Sequence, residues 1–457
     1  MNRLFHVFLV LSLFLLLNDS AQSQSYDSRF TSSLYSWTES YDGTKREHLR
    51  GYQSSTLILR GVGAKRLNLK SYFYFTDDFS SEANSVSTLR IFDLYADYKK
   101  ALFATDIRIG RQFLFAGVGR GPIDGVRLSF NGRESGKLLL YAGTMAPATN
   151  PDRIDSWDES NILGGELIAY YLFGNVMKFS FVRRSKRVEP FELIPERFNI
   201  SSVNPSSLQR QAAGIDIARS LNDNISLYLR GDFGIGEGAF EKDISLERGE
   251  IVLTHSKPNS HYLTLELLNR KPLVYVNSFF SRFSSLLRRS NELSIAFDKK
   301  TAGNLWLNTK IALVDYGKSA EGKSANSFRL NSGFKFKNIS SGLLFRNGYG
   351  GDWFGLHAAY YGKVIQSLSL RIDGEWSIFS LTSYDLGEEK DESSAFSLRT
   401  GINWRFNRHV SLDAELQSLS QSIEWANISN TVLFAGNDNE FRAFLKLNVW
   451  FWKKKGY

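Results

Sequence analysis

The chain has no cysteine among its 457 residues. That excludes a disulfide framework, a thiolate zinc site, a cysteine nucleophile and a lipidated N-terminal cysteine. Proline is scarce, at 8, which suits a chain made mostly of paired strands, where proline removes a ladder hydrogen bond. After Ser25 no stretch is apolar enough to span a membrane as a helix. The best helical candidate, Leu163–Val182, carries Glu166 and is interrupted by Gly174-Asn175, which reads better as a hairpin turn. The formal net charge is +9, but apart from Lys453, Lys454 and Lys455 the basic residues are scattered, so no nucleic-acid face is expected.

What the chain does have is alternation. Its 42% hydrophobic content is too high for a disordered chain and too evenly spread for a helical membrane protein. In "LSLRIDGEWSIFS", Leu368, Leu370, Ile372, Trp376 and Ile378 take one parity, and Ser369, Arg371, Asp373, Glu375 and Ser377 the other. Arg230 and Asp232, Arg329 and Lys335, Arg399 and Arg405, and Asp413 and Glu415 likewise lie opposite apolar residues in their own segments. In "DLYADY" the polar set is Asp93, Tyr95 and Asp97. Each such segment runs roughly ten residues, enough to cross a bilayer as a tilted strand.

The connections alternate too. Short ones near Gly61–Arg66, Gly174-Asn175, Asn338–Ser340 and Asn407-Arg408 interleave with long ones such as Phe113–Asp124, Ser185–Leu208 and Lys271–Arg289. With a first strand at Arg29–Trp37 and a last at Phe441–Trp452, the count is about 22, within a range of about 18 to 22. The expected fold is all-β: one antiparallel transmembrane β-barrel over residues 24–457. A closed barrel leaves no edge and satisfies every backbone polar group in lipid. Residues 1–23 read as a secretory signal, with Arg3, an apolar run from Leu4 to Leu17, and Ala21 and Ser23 before the cleavage site; an uncleaved anchor is the alternative.

At this point the chain resembles Gram-negative outer-membrane porins: signal, antiparallel strands and an aromatic-rich final strand. It departs from them where Lys453-Lys454-Lys455-Gly456-Tyr457 follows Trp452, since the assembly signal of that family ends at a terminal aromatic residue. Locally, "RIGRQFLFAGVGRGPIDGVRLSF" (Arg108–Phe130), with its Gly110-Arg111-Gln112 step and Asp124-Gly125, resembles a strand and returning loop of alginate-export-type porins. That resemblance implies an Arg-rich lumen passing anionic polysaccharide.

The candidate pore-lining residues are Asp106, Arg108, Arg111, Gln112, Asp124, Arg230, Asp232, Arg329, Lys335, Arg371, Asp373, Glu375, Arg399, Arg405, Asp413 and Glu415. The first five, with Arg120, suit a constriction whose paired charges set up a transverse field, or else salt bridges fixing a loop to the wall. Lys271–Arg289 is too apolar for a loop lying in water. His255 and His261 flank one turn without further ligands, so no metal or cofactor is expected. The Gly-rich runs lack a following Lys-Ser or Lys-Thr, so no phosphate cradle is expected either. No nucleophile–base set is identifiable, which points away from an enzyme.

The expected function is passive passage of polar solutes, anions included, in contact with outer-membrane lipids and, during biogenesis, the assembly machinery. The alternative is a plugged structural or secretion-associated barrel that passes no solute. The absence of a separate soluble domain argues against an autotransporter, and that of an N-terminal plug domain against an energised transporter.

Overall fold

The computed structural model describes residues 25–41, 44–63, 65–80, 88–101, 105–132, 134–147, 153–187, 208–235, 244–257, 260–271, 289–318, 324–349, 351–381, 391–424 and 435–454. The signal segment and most of Lys271–Arg289 lie outside the described residues.

Alternation of side chains becomes strand throughout. The strands are β1 (Ser25–Tyr41), β2 (Thr44–Arg60), β3 (Leu67–Asp78), β4 (Thr88–Tyr98), β5 (Thr105–Ala116), β6 (Gly119–Asn131), β7 (Gly136–Met145) and β8 (Ser160–Leu172). They continue as β9 (Asn175–Lys186), β10 (Leu208–Ser220), β11 (Ile225–Ile235), β12 (Ser245–Lys257), β13 (His261–Arg270), β14 (Ser290–Lys300) and β15 (Leu305–Lys318). The last are β16 (Ser324–Phe336), β17 (Ile339–Gly348), β18 (Asp352–Ile365), β19 (Leu368–Leu381), β20 (Asp391–Arg405), β21 (Val410–Glu424) and β22 (Ala435–Lys454). Each strand pairs antiparallel with the next, and β22 returns to pair with β1 from Ser25↔Lys454 to Trp37↔Arg442. The 22-stranded sheet is therefore a closed barrel.

Register carries the faces from strand to strand. Leu370 lies between Gly362 and Ile402, whereas Asp373 lies beside Arg399. The outer face of β12–β15 exposes Ile251, Leu253, Leu263, Leu265, Leu293, Ile295 and Leu313. In water such a surface would drive aggregation; in hydrocarbon it costs nothing. Polar groups on that face satisfy each other: Thr309 and Ser332 share a 2.9 Å Oγ–Oγ hydrogen bond. At the end with the short turns, Trp404 packs on Phe406 at 4.5 Å and His409 on Trp452 at 4.6 Å, part of the aromatic girdle expected where acyl chains meet headgroups. Twenty-two strands ~4.8 Å apart and tilted by roughly 40° enclose a cylinder on the order of 40 Å across its backbone. Side chains alone cannot fill that width.

One expectation is corrected. Phe113–Asp124 is not a long outer connection. β5 runs to Ala116 and β6 starts at Gly119, leaving a tight turn at Gly117-Val118. Gly117 takes φ +55°, a backbone conformation that glycine adopts without strain.

Candidate functional site

The β5–β6 hairpin does not stay in the wall. Its tip touches β8 and β9, two and three strands beyond β6, on their inner face. The Val118 amide donates to Ser180 Oγ on β9 at 3.1 Å, and the Gly117 amide donates to the Glu166 carboxylate on β8. Register places Glu166, Ser180, Gly214 and Asp232 in one inner row across β8–β11. A Cβ built on Gly214 would meet Val118.

The fold-over has a steric cause. Gly110 stands opposite Gly125, and Gly125 opposite Gly143. A Cβ at Gly125 would collide with the Ala142 carbonyl and with Gly143, and one at Gly110, which takes φ +120°, with the Leu94 carbonyl. Three adjacent strands thus crease toward the interior where side chains are missing. Consistent with this, β5 pairs with β4 only from Tyr98↔Ile107 to Leu94↔Arg111 and then departs.

Beyond the crease, Leu114, Ala116, Val118 and Ile123 pack against Leu139, Tyr141, Ile162, Val182 and Ala212 of β7–β10, forming a buried apolar core inside the barrel. Fully burying a side chain such as Leu114 or Ile123 contributes about 1.5–3 kcal/mol, so the docked hairpin is held fixed against the inner face of the wall.

Three candidate residues are moved by this crease. Gln112 is fully buried beneath the hairpin. Arg111 and Asp124 lie on the opposite face of the hairpin from Gln112. They form a two-point ion pair, Nε–Oδ1 2.7 Å and Nη2–Oδ2 2.6 Å, with both side chains buried. Arg111 also donates to the Arg153 carbonyl at 2.7 Å and to the Ile91 carbonyl at 3.4 Å. It thereby ties the hairpin root to β4 and to the segment after β7. All three side chains are buried rather than exposed on the lumen wall, and Arg111 and Asp124 form a salt bridge at the root of the hairpin.

The other candidates share the inner face. Arg108 reaches Asp97 at 3.1 Å, and Lys99 bridges Asp97 and Asp106, each at 3.1 Å. Arg230 grips Asp232 at 2.8 Å. Arg329 faces Glu292 at 3.6 Å. Arg371 binds Asp373 at 2.7 Å, and Arg399 lies between Asp373 (3.6 Å) and Glu415 (3.4 Å). Asp413 accepts from Asn448 at 2.9 Å. Glu375 stands opposite His357 and Ser397, and Lys335 and Arg405 opposite Ser340 and Ser411. His255 and His261 stack at 5.2 Å on the outer face.

Sequence reasoning missed Phe113 and Phe115. Their parity reads as lipid-facing in a wall strand, but the fold-over turns that side of the hairpin toward the barrel interior.

No family model matches the chain, and no curated protein matches it in sequence. The barrel is similar in structure to a mutant of the ferric enterobactin receptor PfeA from Pseudomonas aeruginosa, with 11% identity, 93% of this chain and 80% of that one covered, and a TM-score of 0.60. The siderophore receptor PirA from the same organism gives 10% identity, 93% and 80% coverage, and 0.55. This chain is an outer-membrane β-barrel. At such identities the likeness concerns the fold, and the creased hairpin is described from this barrel's own residues.

Proposed function

We propose that this barrel is a passive channel for polar solutes, anions included, narrowed by its inward β5–β6 hairpin. The observation that carries the reading is the hairpin itself: a rigid element docked on the inner wall of a cylinder too wide for side chains to close. The inner wall beside it is wet and charged. Arg108, Arg230, Arg371 and Arg399 each meet a carboxylate, so the wall offers alternating charge rather than a continuous cationic track. That pattern favours small polar solutes over a polyanion. The local resemblance to alginate-export-type porins lies in the residues of the crease, Gly110 and Asp124-Gly125. With a net charge of +9, a mild anion preference is expected, read as the reversal potential under a salt gradient.

A second reading rests on strand number, because 22-stranded outer-membrane barrels commonly carry a plugged lumen. Planar-bilayer recordings decide between the two. Stable single-channel steps support the channel; inserted, folded protein without conductance supports a plugged barrel. In either case outer-membrane lipids cover the outside, and the assembly machinery must bring β22 to β1.

A further inference from the structure

On its interior side the β5–β6 hairpin carries a small aromatic platform. Phe113 and Phe115 stack with ring centroids 4.6 Å apart and planes 36° apart. They are 43% and 76% exposed, although the other face of the same hairpin is buried. Register sets Pro122 opposite Phe113 and Arg120 opposite Phe115, so all four side chains share one face. Arg120 is exposed and anchored at its root, its Nε donating to the Gly117 carbonyl at 3.1 Å. Lipid does not reach this face, because the hairpin lies within the ring of strands. Packing does not need it either, since the core lies on the other side.

We propose that this face is a binding site for solutes that join a flat, apolar ring face to an anionic group. The two rings and Pro122 stack against the ring face, and Arg120 pairs with the anion; the charge next to the rings is what selects this class. The backbone beneath the site is held by the buried core, by the Arg111–Asp124 pair and by the tip hydrogen bonds, so binding orders little that is not already fixed. Aromatic carboxylates and sugar acids both meet this description. The inference deepens the channel reading, which supplies the route by which such a solute reaches the hairpin.

The test uses the full-length barrel with four probes: benzoate, glucuronate, glucose and acetate. Binding is measured calorimetrically in detergent, and current block in planar bilayers. Benzoate or glucuronate, or both, should bind at least tenfold more tightly than glucose and acetate. Benzoate alone assigns aromatic acids and glucuronate alone sugar acids. F115A should weaken the binding by about three- to tenfold, the size of one lost ring contact. R120Q should remove the advantage of glucuronate over glucose, and that of benzoate over benzyl alcohol, a neutral control measured beside the four probes. Should F115A fail to assemble, F115L keeps the volume and removes the ring. Equal, weak binding of all four probes overturns the site, as does binding that neither variant changes; coverage of the platform by another part of the chain would give the first result. Conduction without binding leaves the channel reading standing and removes the site. Binding without conduction does the reverse.

Discussion

The amide of Val118 donates a 3.1 Å hydrogen bond to Ser180 Oγ, joining the turn after β5 to the inner face of β9. A Cβ built on Gly117 would strike the same serine, so turn and wall are in close contact. Ser180→Phe should therefore displace the hairpin tip while leaving strand register intact. The expected outcome is a larger single-channel conductance with normal heat-modifiable migration on gels. Unchanged conductance in a folded variant would mean that the hairpin does not set the width.

The Arg111–Asp124 pair gives a stability prediction. Removing one partner leaves a buried charge uncompensated, which costs about 3–5 kcal/mol. Arg111→Ala and Asp124→Ala should each lower the thermal unfolding midpoint, whereas Arg111→Met combined with Asp124→Leu should recover most of the loss. If the double variant were no more stable than the singles, the penalty would not come from the stranded charge.

The faces of β19 can be tested because the chain is free of cysteine. Ser369→Cys, Arg371→Cys, Asp373→Cys and Glu375→Cys should react with a small charged thiol reagent. Leu368→Cys, Leu370→Cys and Ile372→Cys should resist it, and a fluorophore attached at those sites should be quenched by a bilayer-embedded nitroxide. Leu370→Lys should impair assembly, since a lysine facing hydrocarbon near mid-strand costs about 2–4 kcal/mol, while Ser369→Lys should assemble. Equal labelling of both parities would overturn the assigned faces.

Acid should loosen the segment after β7 before it loosens the wall. Glu159 accepts the Ser156 amide at 2.9 Å and pairs with Arg153, and these contacts hold its carboxyl below the usual value of 4.5. A depressed carboxyl contributes stability above its unfolded pKa, and that contribution is lost as pH falls through the folded value. Corrected for the intrinsic slowing of exchange in acid, the protection of residues 153–159 should accordingly fall as pH drops below about 4.5, while β18–β21 remain protected. Glu159→Gln should show the faster exchange already at neutral pH.

The wall was legible in the sequence, and so was the region of a constriction, but not the strand hairpin that builds it, for a physical reason. In β19 one face meets lipid and the other water, so Leu370 and Arg371 separate cleanly by parity. In the hairpin both faces are apolar: Leu114 and Ala116 meet the wall, and Phe113 and Phe115 the interior. Alternation vanishes there, and the run reads as a loop. A signal was nevertheless present in the partner strands. Leu139, Tyr141, Ile162, Val182 and Ala212 put apolar side chains at inward parities where β19 and β20 carry charge. An inner face that turns apolar over four neighbouring strands requires something inside to cover it.

The seam between β1 and β22 joins the two ends of the chain. The ring cannot shut until residues 435–454 arrive. The contacts that dock the hairpin come from β4 to β10, and all of those residues precede Ser245, where β12 begins. The crease and its core therefore have every partner they need while the sheet is still open on one side. The inner hairpin and the seam that closes the ring draw on separate stretches of the chain.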